Sequence, residues 1–311
     1  MKSLAGRDFL AVRDFSAGEI EAVLKLAGRL KRGGERSAGA LEGKIFALYF
    51  EKPSLRTRVS FEAGILRLGG RAIYVNAEST HAARGEPLKD MARVLSRYVD
   101  GIIFRGFRHE DIEETALHAD VPVINALSDL CHPCQALADA FTIFERKKKR
   151  KGLKIAYVGD GNNVAHSLID VCAALGLEIA LACPRGYEPD ASVVKAARAA
   201  ALETGGAISL HRAPRAAVKG ADVVYTDVWV SMGQESETPA RKNAFRGYGI
   251  DAGLLKLAAA DAIFMHDLPA HRGEEVEPDV IDGGQSVVFD QAENRLYVQQ
   301  AVLLMLAGKA G

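Results

Sequence analysis

The sequence has no excess of charge of either sign and no long hydrophobic run. Its 311 residues carry 40 lysines and arginines and 40 aspartates and glutamates, so the formal net charge is zero. A chain with this balance lacks the broad electropositive surface that nucleic acid or an anionic membrane attracts. No apolar stretch is long enough to cross a bilayer. We therefore expect neither nucleic acid nor a membrane among its partners.

Cysteines and targeting signals are also scarce. Four cysteines in a chain of this length are too few for a disulfide scaffold; they are Cys131, Cys134, Cys172 and Cys183. Residues 1–8 contain no apolar core and include an early acid, so they indicate neither a signal peptide nor a transit peptide. Together these features predict a cytoplasmic protein.

The sequence does contain a regular alternation of strand-like and helix-like segments. The strand candidates are residues 45–50, 71–75, 101–105, 121–125, 154–158, 178–182, 207–210, 222–226 and 262–266. Such an alternation is typical of βαβ units with a parallel sheet. We predict an α/β fold with two doubly wound parallel-sheet domains, covering residues 1–145 and 152–290.

Three segments are predicted to frame these domains. Ser16 and Glu19 form a capping-box pattern that predicts a first helix over residues 16–32. The dense charge run 145–152 could be a nucleic-acid site, but at zero net charge a solvated helix end and interdomain linker is the better interpretation. The amphipathic segment 291–308 is predicted to be a helix that returns to the first domain and bridges the two.

The first candidate site follows the strand at 45–50. Residues 54–58 read Ser-Leu-Arg-Thr-Arg and open a helix-like segment. Unpaired N–H groups at a helix N-terminus favour an anion, and arginine matches phosphate oxygens in a bidentate manner. The segment predicts a site for a phosphorylated small molecule, although a capped helix with surface arginines has the same pattern.

Three more polar residues stand where ligands bind in such folds. Arg105 ends a predicted strand, and open α/β sheets bind ligands beyond the carboxyl ends of their strands. His132 and Gln135 flank the start of a predicted helix over 133–147, with Pro133 at its first position. Imidazole can donate to a carbonyl oxygen, and a glutamine amide can accept from an –NH₂ group. A solvated arginine and a capping histidine are the structural alternatives.

Two motifs carry weaker signals. Cys131 and Cys134 form a CxxC at a helix start, but the preceding loop is polar and no second cysteine pair completes a zinc site, so neither redox nor metal chemistry is favoured. Residues 159–163 (Gly-Asp-Gly-Asn-Asn) resemble a dinucleotide-binding turn that lacks its third glycine. A nicotinamide oxidoreductase is therefore a distant alternative, and Asn163 is instead a candidate ligand group. We predict no cofactor and no metal.

The last two candidate segments lie in the second half of the chain. Asp227 follows a predicted strand and can accept from an ammonium group, and Ser231 can serve an amino-acid substrate. The polar stretch 231–242 can be a lid with Gly233 as its hinge, and an ordinary loop is the alternative for this segment and for the one after the final strand. Residues 266–269, His-Asp-Leu-Pro, follow the final strand, where a sharp turn can direct backbone carbonyls into a cleft.

Taken together, these motifs resemble the aspartate/ornithine carbamoyltransferase family over nearly the whole chain and in family order. They include segment 54–58, Arg105, the His-Pro-Cys-Gln of 132–135, and Asp227 with Ser-Met-Gly at 231–233. The Ser-Met-Gly loop resembles the ornithine branch. The resemblance implies transfer of a carbamoyl group from carbamoyl phosphate to the side-chain amine of ornithine, in arginine biosynthesis or in the reverse direction. It also implies a homotrimer with sites shared between subunits.

The resemblance further implies residue roles. Carbamoyl phosphate would be bound by Ser54, Leu55, Arg56, Thr57, His81, Arg105, His132, Gln135, Leu268 and Arg295. Ornithine would be bound by Asn163, Asp227, Ser231, Met232 and Asp267. The catalytic residues would be Thr57, Arg105 and His132, which stabilise the oxyanion, and Asp267 at the acceptor amine.

Three positions depart from the family pattern. Leu55 replaces a threonine but keeps its backbone N–H, and His81 replaces a glutamine that a neighbouring subunit contributes. Asp267 replaces a cysteine beside the acceptor amine. The attacking amine must be neutral, and an ionised Asp267 would stabilise the ammonium form. A different amine acceptor, or a carbamoyltransferase-like binding protein without activity, therefore stands as an alternative.

Overall fold

The structure is a computed structural model that describes residues 3–33, 38–80, 85–231 and 233–309. His81 and Met232, two of the predicted ligand residues, lie outside the described residues. The chain divides into two compact units. Unit 1 comprises Met1–Phe141 and Glu293–Gly311, and unit 2 comprises Thr142–Ala292.

Unit 1 is built on a parallel sheet. Its elements are α1 (Ala17–Lys31), β1 (Ile45–Phe50), α2 (Leu55–Arg67), β2 (Arg71–Asn76), α3 (Leu88–Leu95), β3 (Gly101–Arg105), α4 (His109–His118), β4 (Val123–Leu127) and the start of α5 (Pro133–Lys147). Among the described residues, four strands pair in the order β2-β1-β3-β4. The order reverses between β1 and β3, where Phe50 pairs with Arg105. The carboxyl ends of these strands therefore lie side by side.

The core of unit 1 covers one face of this sheet. Ala47 and Tyr49 on β1, and Ile102 and Phe104 on β3, are each two residues apart and all buried. Since alternate strand residues share a face, these pairs point to the same side, where Ile112 of α4 joins them. The rings of Tyr49 and Phe104 meet edge to face, with centroids 4.8 Å apart. This packing fixes the strand whose last residue is Arg105.

Unit 2 has a second parallel sheet. Its elements are β5 (Lys154–Val158), α6 (Asn163–Ala174), β6 (Glu178–Ala182), α7 (Ala191–Thr204), β7 (Ala207–His211), α8 (Pro214–Val218), β8 (Val223–Thr226), α9 (Thr238–Ala244), α10 (Ala252–Leu255), β9 (Ile263–His266), α11 (Pro278–Ile281) and the start of α12 (Val288–Leu306). Short 3₁₀ helices occupy Val12–Asp14 and Ala77–Ser79 in unit 1 and Glu235–Glu237 in unit 2. Five described strands pair in the order β7-β6-β5-β8-β9, which reverses between β5 and β8.

The predicted α/β class with two parallel sheets is confirmed, with small shifts of boundaries. Strand β4 begins at Val123 and not at 121, because Pro122 has no N–H to give to a ladder. Helix α12 begins at Val288 and not at 291, since Val288 is part of the buried core of unit 2. No helix of the described chain is long and apolar enough to span a membrane.

The final helix returns to unit 1, as expected. Lys31 donates from Nζ to Asn294 Oδ1 at 2.8 Å, and Gln300 donates from Nε2 to the Gly64 carbonyl at 3.2 Å. The Gly6 N–H donates to the Leu306 carbonyl at 2.9 Å. These bonds tie the second half of α12 to unit 1.

The prediction of a solvated helix end at 145–152 is wrong for Lys147. Its side chain is only 4% exposed, and its Nζ lies 2.6 Å from Asp261 Oδ2. Arg146 pairs with Asp290. A lysine can bury its aliphatic stem while its ammonium group pairs with an acid. Residues 148–152 are exposed as predicted.

The turn after β5 depends on a glycine, which gives a stability prediction. A Cβ on Gly161 would lie 2.1 Å from the Pro189 nitrogen, whereas one on Gly18 in α1 would meet no atom within 4 Å. We expect Gly161→Ala to lower the free energy of unfolding by about 1–3 kcal/mol through overpacking. The matched control, Gly18→Ala, should leave it unchanged or raise it by up to about 1 kcal/mol. Urea titration followed by circular dichroism compares the two; equal stabilities would contradict the assigned close contact.

Candidate active site

The N-terminus of α2 is arranged to receive an anion. Ser54 is the N-cap, and its Oγ accepts from the Thr57 N–H at 3.2 Å. Leu55 is the first helical residue and is 75% exposed. Its backbone N–H is one of the N–H groups at the helix end that have no partner within the helix. The first turn contains no acid. No acid within this turn therefore offsets the positive end of the helix dipole.

Two arginines converge on the same helix end. Arg105, at the end of β3, donates from Nη1 to Thr57 Oγ1 at 3.3 Å, and Arg295 of α12 donates from Nη2 to the same oxygen at 2.7 Å. All three residues are buried, at 6% exposure or less. Buried guanidinium groups require hydrogen-bonded or anionic partners. Two of them beside a helix N-terminus define a strong site for a phosphate or carboxylate group.

A neutral imidazole belongs to the same cluster. The His132 carbonyl accepts from the Gln135 and Ala136 N–H groups at 3.1 and 3.2 Å, which places His132 at the mouth of α5. Burial lowers the pKa of His132 well below its ordinary value, and the charges of Arg295 and Arg105 lower it further. The ring is therefore uncharged at neutral pH and carries one N–H. That N–H can donate to a carbonyl oxygen.

The loop before His132 is held by two residues that sequence reasoning missed. Ser128 Oγ accepts from the Cys131 N–H at 3.1 Å and lies 2.9 Å from His109 Nδ1. The Ser128 N–H donates to the Cys131 carbonyl at 2.9 Å. Both side chains are buried. The serine that begins the polar loop was the available signal, because serine commonly bonds to a nearby backbone N–H in turns.

Gln135 is oriented by an acid on its own helix. Its Nε2 donates to Asp139 Oδ1 at 2.8 Å, one turn along α5, and both side chains are buried. Within the described chain, the buried Oε1 of Gln135 accepts no hydrogen bond. A buried acceptor without a donor is costly, so this oxygen is suited to accept an N–H of a ligand.

The CxxC motif is structural. Cys131 and Cys134 are both buried and form no disulfide in the described chain, and Cys134 Sγ lies 3.7 Å from the Asn125 carbonyl. Burial raises the pKa of the Cys134 thiol to about 12. Since the thiolate is the reactive form, this position opposes redox chemistry. No group of three or more His, Cys, Asp or Glu in the described chain is placed to hold a metal.

Unit 2 has its own polar site where the order of its sheet reverses. Asn162 caps α6: its Oδ1 accepts from the Val164 N–H at 3.0 Å, and its Nδ2 donates to Asp227 Oδ2 at 2.8 Å. Asn163 is the first residue of α6 and is half-buried. Sequence reasoning missed Asn162, although an asparagine directly before an apolar helix is a typical N-cap.

Asp227 and Asp267 follow neighbouring strands. Thr226, the last residue of β8, pairs with His266, the last residue of β9. Each aspartate directly follows one of these two residues. Burial raises the pKa of Asp227 to about 7, and the charge of Asp267 adds to the rise. His266 and the hydrogen bond from Asn162 oppose it. Asp227 can therefore gain or lose a proton near neutral pH.

The predicted lid is tied down at its far end. Arg241 donates from Nη1 to Asp160 Oδ2 at 2.8 Å and to the Trp229 carbonyl at 3.1 Å. Ser231 is half-buried, and its N–H bonds the side chain of Gln234 at 3.3 Å. Burial raises the pKa of Asp160 to about 6, against the lowering effect of Arg241. Sequence reasoning missed Asp160 and Arg241, because nothing in the sequence links positions 81 residues apart.

The structure distributes the predicted ligand residues between the units. Unit 1 contains Ser54, Leu55, Arg56, Thr57, Arg105, His132, Gln135 and Arg295. Unit 2 contains Asn163, Asp227, Ser231, Asp267 and Leu268. Leu268 has a left-handed backbone (φ 62°), and its N–H donates to His266 Nδ1 at 2.8 Å. The ligands that these residues bind stay a prediction.

Comparison with known proteins identifies the family. Residues 7–145 match the carbamoyl-P binding domain of aspartate/ornithine carbamoyltransferase, and residues 151–306 match its Asp/Orn binding domain. The chain belongs to the aspartate/ornithine carbamoyltransferase family.

Several relatives within that family are named ornithine carbamoyltransferase. The chain is 55% identical to ornithine carbamoyltransferase from Thermococcus kodakarensis over 308 residues, which is 98% of both chains. It is 54% identical to the anabolic enzyme of Pyrococcus furiosus, with the same coverage. A solved structure of ornithine carbamoyltransferase from Pyrococcus furiosus superposes with a TM-score of 0.94 at 53% identity, covering 99% of each chain. The anabolic enzyme of Campylobacter jejuni gives 0.93 at 42% identity, covering 97% of this chain and 99% of that one.

The neutrality of His132 gives a pH prediction. Its lowered pKa means that the unfolded chain binds a proton near pH 6.5 that the folded chain does not, so stability falls as pH drops below about 6.5. We expect the His132 ring signals to stay constant from pH 7 to 5 in an NMR titration. Arg295→Met should raise the pKa of His132, whereas Arg272→Met, which breaks an exposed ion pair with Asp282, should not. Titration of the wild-type ring near pH 6.5 would contradict the assignment.

Proposed function

We propose that this chain transfers the carbamoyl group of carbamoyl phosphate to the side-chain amine of L-ornithine, giving L-citrulline and phosphate. The observation that carries this proposal is the convergence of Arg105 and Arg295 on Thr57 at the N-terminus of α2. Relatives named ornithine carbamoyltransferase, 51–55% identical over nearly the whole chain, support the choice of acceptor. Two relatives named anabolic support a place in arginine biosynthesis.

In this proposal the phosphorylated substrate binds to unit 1. Ser54, Arg56, Thr57 and the Leu55 N–H hold the phosphate, together with Arg105 and Arg295. The neutral His132 donates to the carbamoyl oxygen, and the Oε1 of Gln135 accepts from the carbamoyl –NH₂. We also assign His81 of a neighbouring subunit and the Leu268 backbone to this substrate. Support comes from the two buried guanidinium groups, which suit an anion, and from the Gln135 oxygen, which suits an N–H donor.

The amino-acid substrate binds to unit 2. Asn163, Asp227, Ser231 and Met232 take its α-amino and α-carboxylate groups, and Asp267 lies at the attacking amine. The bond from Asn162 to Asp227, which holds the carboxylate at the end of β8, supports this assignment. The tie between Arg241 and Asp160 supports a lid over residues 231–242 that moves about a fixed end.

The reaction proceeds by attack of the neutral amine on the carbonyl carbon. A C–N bond forms, and the resulting oxyanion is stabilised by donors on Thr57, Arg105 and His132 that are already in place, the effect that usually contributes most in acyl transfer. The bond from carbon to the bridging oxygen then breaks. Phosphate leaves with one amine proton, so the step needs no protein base for that proton.

We further propose that the protein is a cytoplasmic homotrimer. Support for assembly comes from an exposed apolar face on α2, formed by Leu55, Val59 and Leu66, which are 75%, 51% and 62% exposed. Their spacing places them on one side of the helix. Ile73 of β2 is also half-exposed. Neighbouring copies in a closed ring would cover such a face.

The assembly predicts a change in mass on a single substitution. Leu66→Lys places a charge in the apolar face of α2, so we expect light scattering after size exclusion to give the mass of a monomer instead of a trimer. Leu202→Lys is the control, since Leu202 is 86% exposed in unit 2 and its change should leave the trimer intact. A wild-type protein with the mass of a monomer would contradict the homotrimer.

The activity is tested by a citrulline assay with carbamoyl phosphate and a panel of ornithine, putrescine and lysine. We expect ornithine to be the preferred acceptor.

We also expect Arg105→Met to lower kcat/KM by about 10²–10³, because it removes a donor to the developing oxyanion. Arg56→Met should raise the KM for carbamoyl phosphate. Its matched control on the same helix, Arg58→Met, should change activity only a few-fold, since Arg58 pairs with Glu62 at 3.2 Å and lies over the Tyr74 ring.

The same panel separates the alternatives. Preference for putrescine or lysine, reversed by Asp267→Cys, would favour a different acceptor. Ornithine turnover that is high in the wild type and unchanged in Asp267→Cys would refute that alternative. Binding of carbamoyl phosphate without carbamoylation of any amine would identify a binding protein and contradict the proposed function.

A further inference from the structure

Two neighbouring loops of unit 1 carry the side chains that donate to the oxyanion in the proposed reaction. Arg105 is the last residue of β3, and His132 ends the loop that follows β4. The two strands pair, and Arg105 lies opposite Leu127 at their ends. The Gly106 N–H then donates to the Leu127 carbonyl at 2.9 Å. The two loops therefore leave the sheet side by side.

Further hydrogen bonds join these loops beyond the strands. The Asp129 N–H donates to the Phe107 carbonyl at 3.2 Å, and Asp129 Oδ1 accepts from the His109 N–H at 2.9 Å. In addition, His109 Nδ1 lies 2.9 Å from Ser128 Oγ. Ser128 is fully buried and His109 is 6% exposed, so water competes little for this last contact.

The loop after β4 closes into a turn directly before His132. The Ser128 N–H donates to the Cys131 carbonyl at 2.9 Å, and Ser128 Oγ accepts from the Cys131 N–H at 3.1 Å. On the other side, the His132 carbonyl accepts from the N–H groups of Gln135 and Ala136 in α5. The backbone at His132 is therefore fixed by a serine before it and by a helix after it.

The hydrogen-bonding capacity of Ser128 decides the direction of its contact with His109. A hydroxyl has one hydrogen to donate and two lone pairs that accept. Ser128 Oγ accepts from the Cys131 N–H at 3.1 Å and from Asn125 Nδ2 at 3.4 Å, which occupies both lone pairs. Its hydrogen can point to His109 Nδ1 at 2.9 Å or to the Cys131 carbonyl at 3.4 Å, and the shorter contact is the stronger one. The hydroxyl therefore donates to Nδ1, and the ring hydrogen of His109 is on Nε2, which lies 3.7 Å from Glu113 Oε1.

We propose that Ser128 and His109 are positioning residues for carbamoyl transfer. They hold the His132 imidazole where its N–H meets the same carbamoyl oxygen as the Arg105 guanidinium, and this role rests on the proposed function. Neither residue touches the substrate. Ser128 acts on His132 through the Cys131 backbone, and His109 fixes the Ser128 hydroxyl by accepting its hydrogen.

Such support affects the rate because donors stabilise an oxyanion only when they are already in place. Misplacement of a group at the site by about 1 Å can cost about 10²-fold in rate. Without the Ser128 hydroxyl, the Cys131 N–H loses this acceptor and the turn before His132 gains freedom. The anion site at the N-terminus of α2 does not include this turn. The loss should therefore fall on kcat and spare the binding of phosphate.

The first test is a double-mutant cycle in the citrulline assay with the full-length protein. We expect Ser128→Ala to lower kcat by about 10–100-fold, while the dissociation constant of inorganic phosphate, measured by calorimetry, changes by less than about three-fold. In a His132→Ala background the same change should lower kcat by less than about two-fold, because the donor that Ser128 positions is gone. A residue that only stabilises the fold would give the same factor in both backgrounds.

Three further variants separate the hydroxyl from the space that it fills. Ser128→Thr keeps a hydroxyl and should restore most of kcat. His109→Leu removes the acceptor of its hydrogen and should lower kcat by about 5–20-fold; it takes the place of Ser128→Ala in the cycle if that variant does not fold. Ser96→Ala is the matched control and should leave kcat unchanged, since Ser96 Oγ also accepts a backbone N–H, from Asp120 at 2.9 Å, elsewhere in unit 1.

A second test requires no activity. In protein with isotope-labelled histidine at pH 8, we expect the NMR signals of His109 to show an Nδ1 without hydrogen and an Nε2 that carries one. The ring signals of His132 should shift in Ser128→Ala, because the turn before the ring has lost a hydrogen bond. They should stay in place in Ser96→Ala.

Four results overturn the proposal. The first is a hydrogen on Nδ1 of His109, and the second is a set of His132 ring signals that Ser128→Ala leaves in place. The third is a kcat that neither Ser128→Ala nor His109→Leu lowers. The fourth is an equal loss of kcat with and without the His132 ring. Failure of the proposed function is distinct: the ring signals and phosphate binding would behave as expected, but the wild type would carbamoylate no amine.

Discussion

The hydrogen bonds that Thr57 receives from Arg105 and Arg295 are the interaction on which the site of unit 1 depends. Two guanidinium groups that share one hydroxyl oxygen in a buried place are stabilised when negative charge lies beside them. The helix N-terminus has the wrong sign for this purpose, since it favours negative charge itself. The cluster therefore suits an anionic ligand, and a phosphate group could interact with both guanidinium groups and the helix N-terminus at once. Burial, together with the charges of Arg295 and Arg105, lowers the pKa of His132 and keeps the ring neutral, so the two arginines affect the imidazole as well as the helix end.

The order of the strands decides where such groups can collect. In unit 1 the order reverses between β1 and β3, and in unit 2 between β5 and β8. At a reversal the connecting segments leave in opposite directions and open a crevice at the carboxyl edge. Segment 54–58 and Arg105 lie at the first reversal, and Asn162 and Asp227 at the second. One topological rule thus places a cluster of polar groups at the carboxyl edge of each sheet.

Polar burial in both units favours function over stability. Asp227, His266 and Glu275 are almost fully buried, and burying ionisable groups costs free energy that an apolar core would save. Such costs are typical of sites whose chemistry requires shifted proton affinities. The replacement of the family cysteine by Asp267 fits this pattern, because it adds a second acid beside a carboxylate that is already hard to ionise.

The sequence by itself determined the α/β class, the parallel sheets and the helix that Ser54 caps, and it predicted the segment that we propose to bind the phosphate. These depend on local patterns: the alternation of apolar runs, capping residues and the family order of short motifs. Strand β4 begins two residues later than predicted because Pro122 has no N–H to give to a ladder, and this rule is also local. Only the tertiary structure decided which distant groups meet: Arg295 on Thr57, Asn162 on Asp227 and Arg241 on Asp160. The physical reason is that such contacts depend on sheet register and on the return of α12, which no local pattern encodes. The same holds for the pKa values of His132 and Asp227, because burial and neighbouring charge exist only once the chain has folded.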